Sequence, residues 1–298
     1  MSEDAAKSAE RRLGLAYGFA AYGSWGVLPL YFKAVQAAPT LELLSHRVVW
    51  AQLLLLGLTL RAGLGPELRA ALVPGRTLLL VLIGTVLIAF NWLMYIWAVT
   101  GGRVMEASLG YYINPLVNIL LGVVVLGERL ARPVQWAVLI AGGGVAWLTL
   151  QAGEPPWLSL ALAVSFALYG LVRKLLPLGA LVGLTLETGL LLPFAIAYLA
   201  WATDAGRLVF RTHGIGFDLL LLLAGPVTAV PLLFFTGAAR RLPLTTLGFL
   251  QYLSPSIQFL LALTVFGERF TAARGVAFAC IWVALALVAL HGARRGRR

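Results

Sequence analysis

Long apolar runs without charge are the feature that most constrains what this chain can fold into. Residues 77–100 and 275–290 contain no Asp, Glu, Lys or Arg, and residues 104–126 contain only Glu106. Runs of this kind match the roughly 20 residues that a helix needs to cross the hydrocarbon core of a bilayer. Strands of a membrane barrel alternate polar and apolar residues, whereas these runs are continuously apolar. The sequence therefore predicts an all-α membrane protein.

Composition and charge exclude several other classes of protein. Hydrophobic residues make up 60% of the 298 residues and charged residues only 12%, against about 25% charged in a soluble domain. The formal net charge is +11, but the basic residues fall between the apolar runs and at the C-terminus, so no nucleic-acid partner is expected. The single cysteine, Cys280, and three dispersed histidines predict neither a disulfide framework nor a metal or other cofactor.

Hydropathy predicts ten transmembrane helices, with the first apolar run kept as a span rather than removed as a signal peptide. The spans lie near 12–36, 40–60, 76–99, 104–126, 134–151, 156–173, 179–200, 216–238, 243–266 and 274–291. A cytoplasmic N-terminus places 16 Lys and Arg residues on the cytoplasmic side and six on the other side. Because cytoplasmic loops are rich in Lys and Arg, we expect both termini in the cytoplasm and the loop at 201–215 outside.

An internal repeat relates the two halves of the chain, 1–151 and 152–298. Residues 111–130 align with 251–270 at an offset of 140 without a gap, and eight of the 20 positions are identical. They include Pro115 with Pro255 and a Gly-Glu-Arg triplet that follows each span. Each half holds five predicted spans, an odd number, so the two halves enter the membrane in opposite directions. Inverted five-helix repeats are typical of secondary transporters.

Several motifs carry a resemblance to a known family. They are WGVLPLYFK at 25–33, LELLSHRVVW at 41–50, NWLMYIWAV at 91–99, EASLGYYINPLVNILLGVVVLGERL at 106–130 and PLTTLGFLQYLSPSIQFLL at 243–261. Together they resemble the RarD group of EamA-type carriers in the drug/metabolite transporter superfamily. The resemblance implies a ten-helix permease of the bacterial inner membrane, and related carriers export amino acids, nucleotide-like metabolites or drugs.

Ionisable residues within a span are costly, by roughly 2.5–3.5 kcal/mol, and are functional candidates by default. Glu42 and His46 lie one helical turn apart on the second span, followed by Arg47. The topology places them at the same depth as Asn91, Tyr95 and Glu106. The planar guanidinium of Arg47 could bind a carboxylate or phosphate through two parallel hydrogen bonds. The residues that could exchange a proton during transport are His46, Glu106 and Glu187.

A stripe of polar residues occurs once in each half, beside the repeated proline. Tyr111, Asn114 and Asn118 match Gln251, Ser254 and Gln258, at spacings that share one helix face. The predicted solute site, between the halves, comprises Trp25, His46, Arg47, Asn91, Tyr95, Tyr111, Asn114, Gln251 and Ser254. Structural alternatives exist: Arg47 could pair with Glu42 or Glu106, Glu187 could pair with Arg173, and the stripe could join helices by hydrogen bonds. Gly14, Gly18 and the glycines at 142–144 are typical of close helix packing.

The function that these patterns favour is secondary transport of a small metabolite or drug by alternating access. No Walker-type phosphate loop occurs, and the absence of His-Glu-x-x-His and Gly-x-Ser-x-Gly makes an intramembrane enzyme a weak alternative. A solute channel is the stronger alternative, because its pore-lining helices have similar sequences. The expected partners are the solute and membrane lipids, and the oligomeric state is left open.

Overall fold

A computed structural model describes residues 3–126, 131–153, 155–239, 241–242, 247 and 250–295. All regular secondary structure in these residues is helical. The first Gly-Glu-Arg triplet, at 127–129, lies outside the described residues, as does most of the segment at 243–249.

The helices lie where the apolar runs predicted spans. The first half forms α1 Glu3–Ala34, α2 Thr40–Arg61, α3 Gly65–Ala71, α4 Arg76–Thr100, α5 Val104–Leu126 and α6 Arg132–Ala152. The second half forms α7 Trp157–Leu175, α8 Ala180–Asp204, α9 Ile215–Leu222, α10 Ala224–Ala239, α11 Leu253–Thr264 and α12 Ala272–Arg295. The short helix α3 was not predicted, and the span predicted at 216–238 is divided into α9 and α10 at Leu223.

Six helices of the described part are long and apolar enough to cross a membrane. They are Thr40–Arg61, Arg76–Thr100, Arg132–Gln151, Trp157–Leu175, Ala180–Asp204 and Ile215–Ala238, in which α9 and α10 are taken together. Large apolar side chains also point outward, since Val86, Leu150 and Phe194 are all more than two-thirds exposed. An apolar exterior of this kind suits contact with lipid. The count of ten spans stays a prediction.

Packing between the two halves follows a paired pattern. Each contact has a counterpart in which the halves are exchanged. Helix α5 packs on α7 as α11 packs on α1, and α4 packs on α7 as α10 packs on α1. Helices α2 and α8 pack on each other, as do α6 and α12. Helices α2 and α8 begin at Thr40 and Ala180, and α6 and α12 at Arg132 and Ala272, so both pairs have the 140-residue offset of the sequence repeat.

Glycines allow several of these helices to approach closely. A Cβ atom added at Gly18 on α1 would lie 2.5 Å from Leu250 Cδ1, and one at Gly14 would lie 2.7 Å from Arg241 Cβ. On α6, a Cβ at Gly144 would lie 2.7 Å from Cys280 Cβ on α12. No described atom lies within 4 Å of such a Cβ at the other two glycines of the triplet, 142 and 143. Of that triplet, only Gly144 therefore has the predicted close packing.

Candidate functional site

Arg47 on α2 is a buried cation, with only 8% of its surface exposed. Its guanidinium carbon lies 4.2 Å from the centroid of the Trp92 ring on α4, in a cation–π contact. Within the described part of the chain, no carboxylate lies within 4 Å of the Arg47 side chain, and its Nε is buried without a hydrogen-bond partner. The ion pair that the sequence allowed with Glu42 or Glu106 is therefore not observed.

Three tyrosine hydroxyls lie within electrostatic range of Arg47, those of Tyr31, Tyr95 and Tyr111. The Tyr31 hydroxyl donates to the carbonyl oxygen of Leu220 at 3.1 Å. The Tyr95 hydroxyl is buried and has no hydrogen-bond partner in the described residues. Arg47 is thus surrounded by neutral polar groups rather than by acids.

Asn91 connects this region to the second half. Its Nδ2 donates to the carbonyl oxygen of Leu162 at 3.1 Å and to Ser165 Oγ at 2.9 Å, both on α7. Its Oδ1 accepts a long hydrogen bond of 3.4 Å from the Tyr111 hydroxyl. We call Arg47, Asn91, Trp92, Tyr95 and Tyr111 the Arg47 cluster.

Aromatic rings form an apolar wall beside the Arg47 cluster. Tyr95 packs edge-to-face against Phe32 and Tyr111, with ring centroids 6.0 and 5.7 Å apart. Tyr111 in turn packs edge-to-face on Phe166 of α7 at 5.9 Å. Four of the predicted site residues, Arg47, Asn91, Tyr95 and Tyr111, are therefore brought together against the second half.

Glu42 and His46 lie at the N-terminal end of α2, under the loop at 205–214. The Glu42 carboxylate is fully buried and accepts the backbone N–H groups of Val209 and Phe210 at 3.0 Å. His46 Nδ1 accepts a hydrogen bond from Trp50 Nε1 at 3.0 Å, which assigns the proton of a neutral ring to Nε2, 3.8 Å from Glu42 Oε1. Glu42 thus holds a loop of the second half.

Asn114 lies deeper on α5 and joins helices. Its Nδ2 donates to the carbonyl oxygen of Ala163 on α7 at 3.0 Å, while its Oδ1 accepts from Asn118 Nδ2 at 3.1 Å. The bond to Ala163 is an interhelical hydrogen bond of the kind that the sequence allowed as an alternative role for the stripe, whereas the bond from Asn118 lies within α5.

Trp25 and Ser254 lie together at the contact of α1 with α11. Gln258 Nε2 donates to the carbonyl oxygen of Trp25 at 3.1 Å and approaches Ser254 Oγ at 3.3 Å. Gln251 lies in the turn before α11 and is partly exposed. The structure does not bring these second-half residues into the Arg47 cluster.

Glu106 belongs to a separate group at the start of α5. Its carboxylate accepts two hydrogen bonds from Arg103, at 2.9 and 2.8 Å, and lies 3.9 Å from the Arg274 guanidinium. It lines a cavity of about 130 Å³ together with Trp157 and Phe278. Two cations therefore neutralise Glu106 away from the Arg47 cluster.

Glu187 on α8 is fully buried at a third location. Its Oε2 accepts a hydrogen bond from the Tyr169 hydroxyl at 2.9 Å, and its Oε1 lies 3.6 Å from Arg173 NH1. The structure thus shows the partner for Arg173 that the sequence allowed.

Sequence reasoning missed two contributions to the site. Trp92 is not among the site residues that the sequence predicts, although it directly follows Asn91 on α4 and lies about one turn before Tyr95. Tyr31 was not considered, and the contact of its hydroxyl with Leu220 depends on the packing of distant helices.

Comparisons with known proteins agree on one family. Residues 12–150 match the EamA-like transporter family. The chain is 46% identical over 295 residues to an uncharacterized transporter of Pseudomonas aeruginosa, and this alignment covers 98% of each of the two chains. It is also 46% identical over 293 residues to protein RarD of Streptomyces exfoliatus, covering 97% of this chain and 92% of that one. A crystal structure of a protein with 21% identity superposes with a TM-score of 0.60 over 94% of this chain and 98% of the other, which shows a shared fold.

Proposed function

This chain belongs to the RarD group of EamA-like transporters, and we propose that it moves a small metabolite or drug across the bacterial inner membrane by alternating access. Its relatives make it a multi-pass membrane transporter rather than an enzyme. The secondary mechanism, the ten spans and the site are the parts that we propose.

The observation that carries this proposal is the Arg47 cluster, a buried charge to which the described part of the chain supplies no acidic partner. An isolated charge is expensive to bury, and one cation–π contact returns only about 2 kcal/mol. The cost is offset if a solute with complementary charge occupies the site during the transport cycle. The contacts of Asn91 and Tyr111 with α7 put this cluster against the second half, where rocking of the halves would expose it to each side in turn.

Two further observations support an inverted repeat with halves 1–151 and 152–298. Each of the main interfaces between helices has a counterpart when the halves are exchanged. The rings of Tyr112 and Tyr252, which are equivalent at the offset of 140, stack on each other with centroids 6.4 Å apart and planes at 16°. Two residues that are equivalent in the repeat are expected to contact each other where they lie on a pseudo-two-fold axis.

Contacts between the halves also close one end of the molecule, where α2 and α5 begin and α11 ends. Glu42 holds the loop at Val209, Lys33 Nζ donates to the carbonyl oxygen of Val265 at 2.7 Å, and the Met105 N–H donates to Glu268 Oε1 at 3.1 Å. With the orientation expected from the charge asymmetry, this is the external end. The proposal therefore requires these contacts to break when the transporter opens outward.

Counterflow in proteoliposomes tests the mechanism. The probe is the compound that most raises the unfolding temperature of the purified protein in a panel of carboxylates, amines, sugars and chloramphenicol. A carrier takes up the labelled probe faster when the vesicles hold unlabelled probe, and the rate saturates. Uptake that neither saturates nor responds to the internal probe would instead indicate a channel, and protein-free liposomes supply the background.

A further inference from the structure

Two hydrogen-bond donors in the Arg47 cluster lack partners among the residues that the structure describes. Arg47 Nε and the Tyr95 hydroxyl are both buried without a hydrogen bond, on residues that are 8% and 3% exposed. A guanidinium can only donate, whereas a phenol hydroxyl can donate one hydrogen bond and can also accept. Each donor that is buried without a hydrogen-bond partner lowers the stability of the folded protein by about 1–3 kcal/mol. The group that would satisfy them is a hydrogen-bond acceptor.

The charge of the surroundings limits which acceptor fits. His46 is neutral on the assignment given by its bond from Trp50, and Asn91 and Tyr111 carry no charge. No carboxylate of the described residues lies within 4 Å of Arg47: Glu42 lies under the loop, and Glu187 lies at a separate location with Tyr169. The cluster therefore carries one positive charge, and one negative charge balances it. A phosphate monoester, with about −1.5 to −2 charges at neutral pH, would leave uncompensated charge in a buried site.

The walls of the site favour an apolar body on the solute. Phe32, Tyr95, Tyr111 and Phe166 form a chain of edge-to-face rings, and Tyr95 in this chain carries one of the two donors. The polar atoms of Tyr111 and Asn91 already bond within the protein, so these two residues offer a solute mainly their apolar parts.

We propose, on the basis of the function proposed above, that the transported solute is a small monocarboxylate with an apolar body. One carboxylate oxygen accepts from Arg47 Nε and the other from the Tyr95 hydroxyl. Arg47, which can only donate, then selects for an acceptor with a single negative charge, and the Tyr95 hydroxyl adds a second hydrogen bond to that acceptor.

Four compounds with a common phenyl ring test this assignment on the purified full chain. They are benzoate, benzamide, phenyl phosphate and benzylamine, with charges of −1, 0, about −2 and +1. We expect benzoate to raise the unfolding temperature saturably, while the other three give at most about a tenth of its affinity. Equal binding of benzamide or phenyl phosphate would overturn the assignment, as would no shift from benzoate, phenylacetate and hexanoate alike.

Variants of Arg47 and Tyr95 test whether benzoate binds at the Arg47 cluster. Arg47→Gln and Tyr95→Phe should each weaken benzoate binding at least about tenfold, since each variant loses a hydrogen bond to a charged group. Tyr112→Phe is the matched control, because its hydroxyl bonds to Ser256 away from the cluster, and it should keep the affinity of the wild type. If Arg47→Gln does not fold, Tyr95→Phe carries the test. Unchanged benzoate affinity in a folded variant of either residue would overturn the assignment.

The outcomes also separate this assignment from the transport mechanism. Benzoate binding that depends on Arg47, without counterflow, would contradict the proposed carrier and leave the carboxylate site in place. Counterflow of an uncharged or cationic solute that is insensitive to Arg47→Gln would support the carrier and overturn the carboxylate.

Discussion

The guanidinium of Arg47 rests on the ring of Trp92, at 4.2 Å from its centroid. The two residues lie on different helices of the first half, α2 and α4, so the contact fixes the position of a buried charge relative to the rings of the site. An aromatic face attracts a cation but neither accepts a strong hydrogen bond nor cancels its charge. The pair therefore orients Arg47 while leaving Nε able to donate to another group.

Replacing Trp92 tests how much this contact contributes to stability. Trp92→Leu removes the ring and should lower the free energy of unfolding by about 2 kcal/mol or more. Trp92→Phe keeps a ring with a weaker attraction for cations and should cost less. Thermal unfolding in detergent should therefore rank the wild type above the Phe variant and the Phe variant above the Leu variant. Equal midpoints for the two variants would indicate that the ring does not hold Arg47.

Replacing Glu42 tests whether its carboxylate holds the loop at 205–214. Glu42→Gln loses the charged acceptor of the Val209 and Phe210 N–H groups, worth about 1.5–3 kcal/mol. We expect trypsin to cleave the purified variant several-fold faster after Arg207 or Arg211, which are exposed in this loop. Glu67→Gln is the control, since Glu67 makes only a 3.5 Å contact to the Gly179 N–H. Cleavage of Glu42→Gln at the rate of the wild type would show that other contacts hold the loop.

Neighbouring glycines on α6 test the packing of the two halves. A side chain at Gly144 meets Cys280 and the backbone of Ala277 on α12, whereas one at Gly143 meets no described atom within 4 Å. Gly144→Val should therefore destabilise the protein by about 1–3 kcal/mol or prevent its folding. Gly143→Val should stay much closer to the wild type in thermal unfolding and size-exclusion profiles. The reverse order would contradict the contact between α6 and α12.

Cysteine labelling tests the orientation expected from the charge asymmetry. In a Cys280→Ala background, Arg207→Cys lies in the loop predicted to be external, and Arg69→Cys lies on α3, predicted to be cytoplasmic. Both positions are exposed. An impermeant maleimide should label position 207 in intact cells and position 69 only after the cells are opened. Labelling in the opposite order would reverse the topology and make the end closed by Glu42 cytoplasmic.

The positions of the helices could be predicted from the sequence far better than the rotation of each helix about its axis. The span predicted at 40–60 is observed as Thr40–Arg61, and the one at 76–99 as Arg76–Thr100. The thickness of a bilayer fixes the length of an apolar run, so hydropathy locates its ends. Helix α3 was missed because a seven-residue helix leaves no such signal.

The candidate site could be predicted only in part for the same reason. Membrane depth grouped Arg47, Asn91 and Tyr95 with Glu106, but depth does not say which way a side chain faces around its helix. In the structure Glu106 faces Arg103 and Arg274. The other three instead meet around Tyr111, which bonds to Asn91, packs on Tyr95 and lies within electrostatic range of Arg47. The separation of Ser254 from Arg47 likewise depends on how α11 packs on α1, which the sequence does not specify.

The most direct measurement of the central claim is an experimental structure determined with the solute that gives the strongest counterflow. We expect density between the two halves, with an acceptor group of the solute within about 3.2 Å of both Arg47 Nε and the Tyr95 hydroxyl. Solute density that contacts neither residue, with Arg47 still resting on Trp92, would contradict the site.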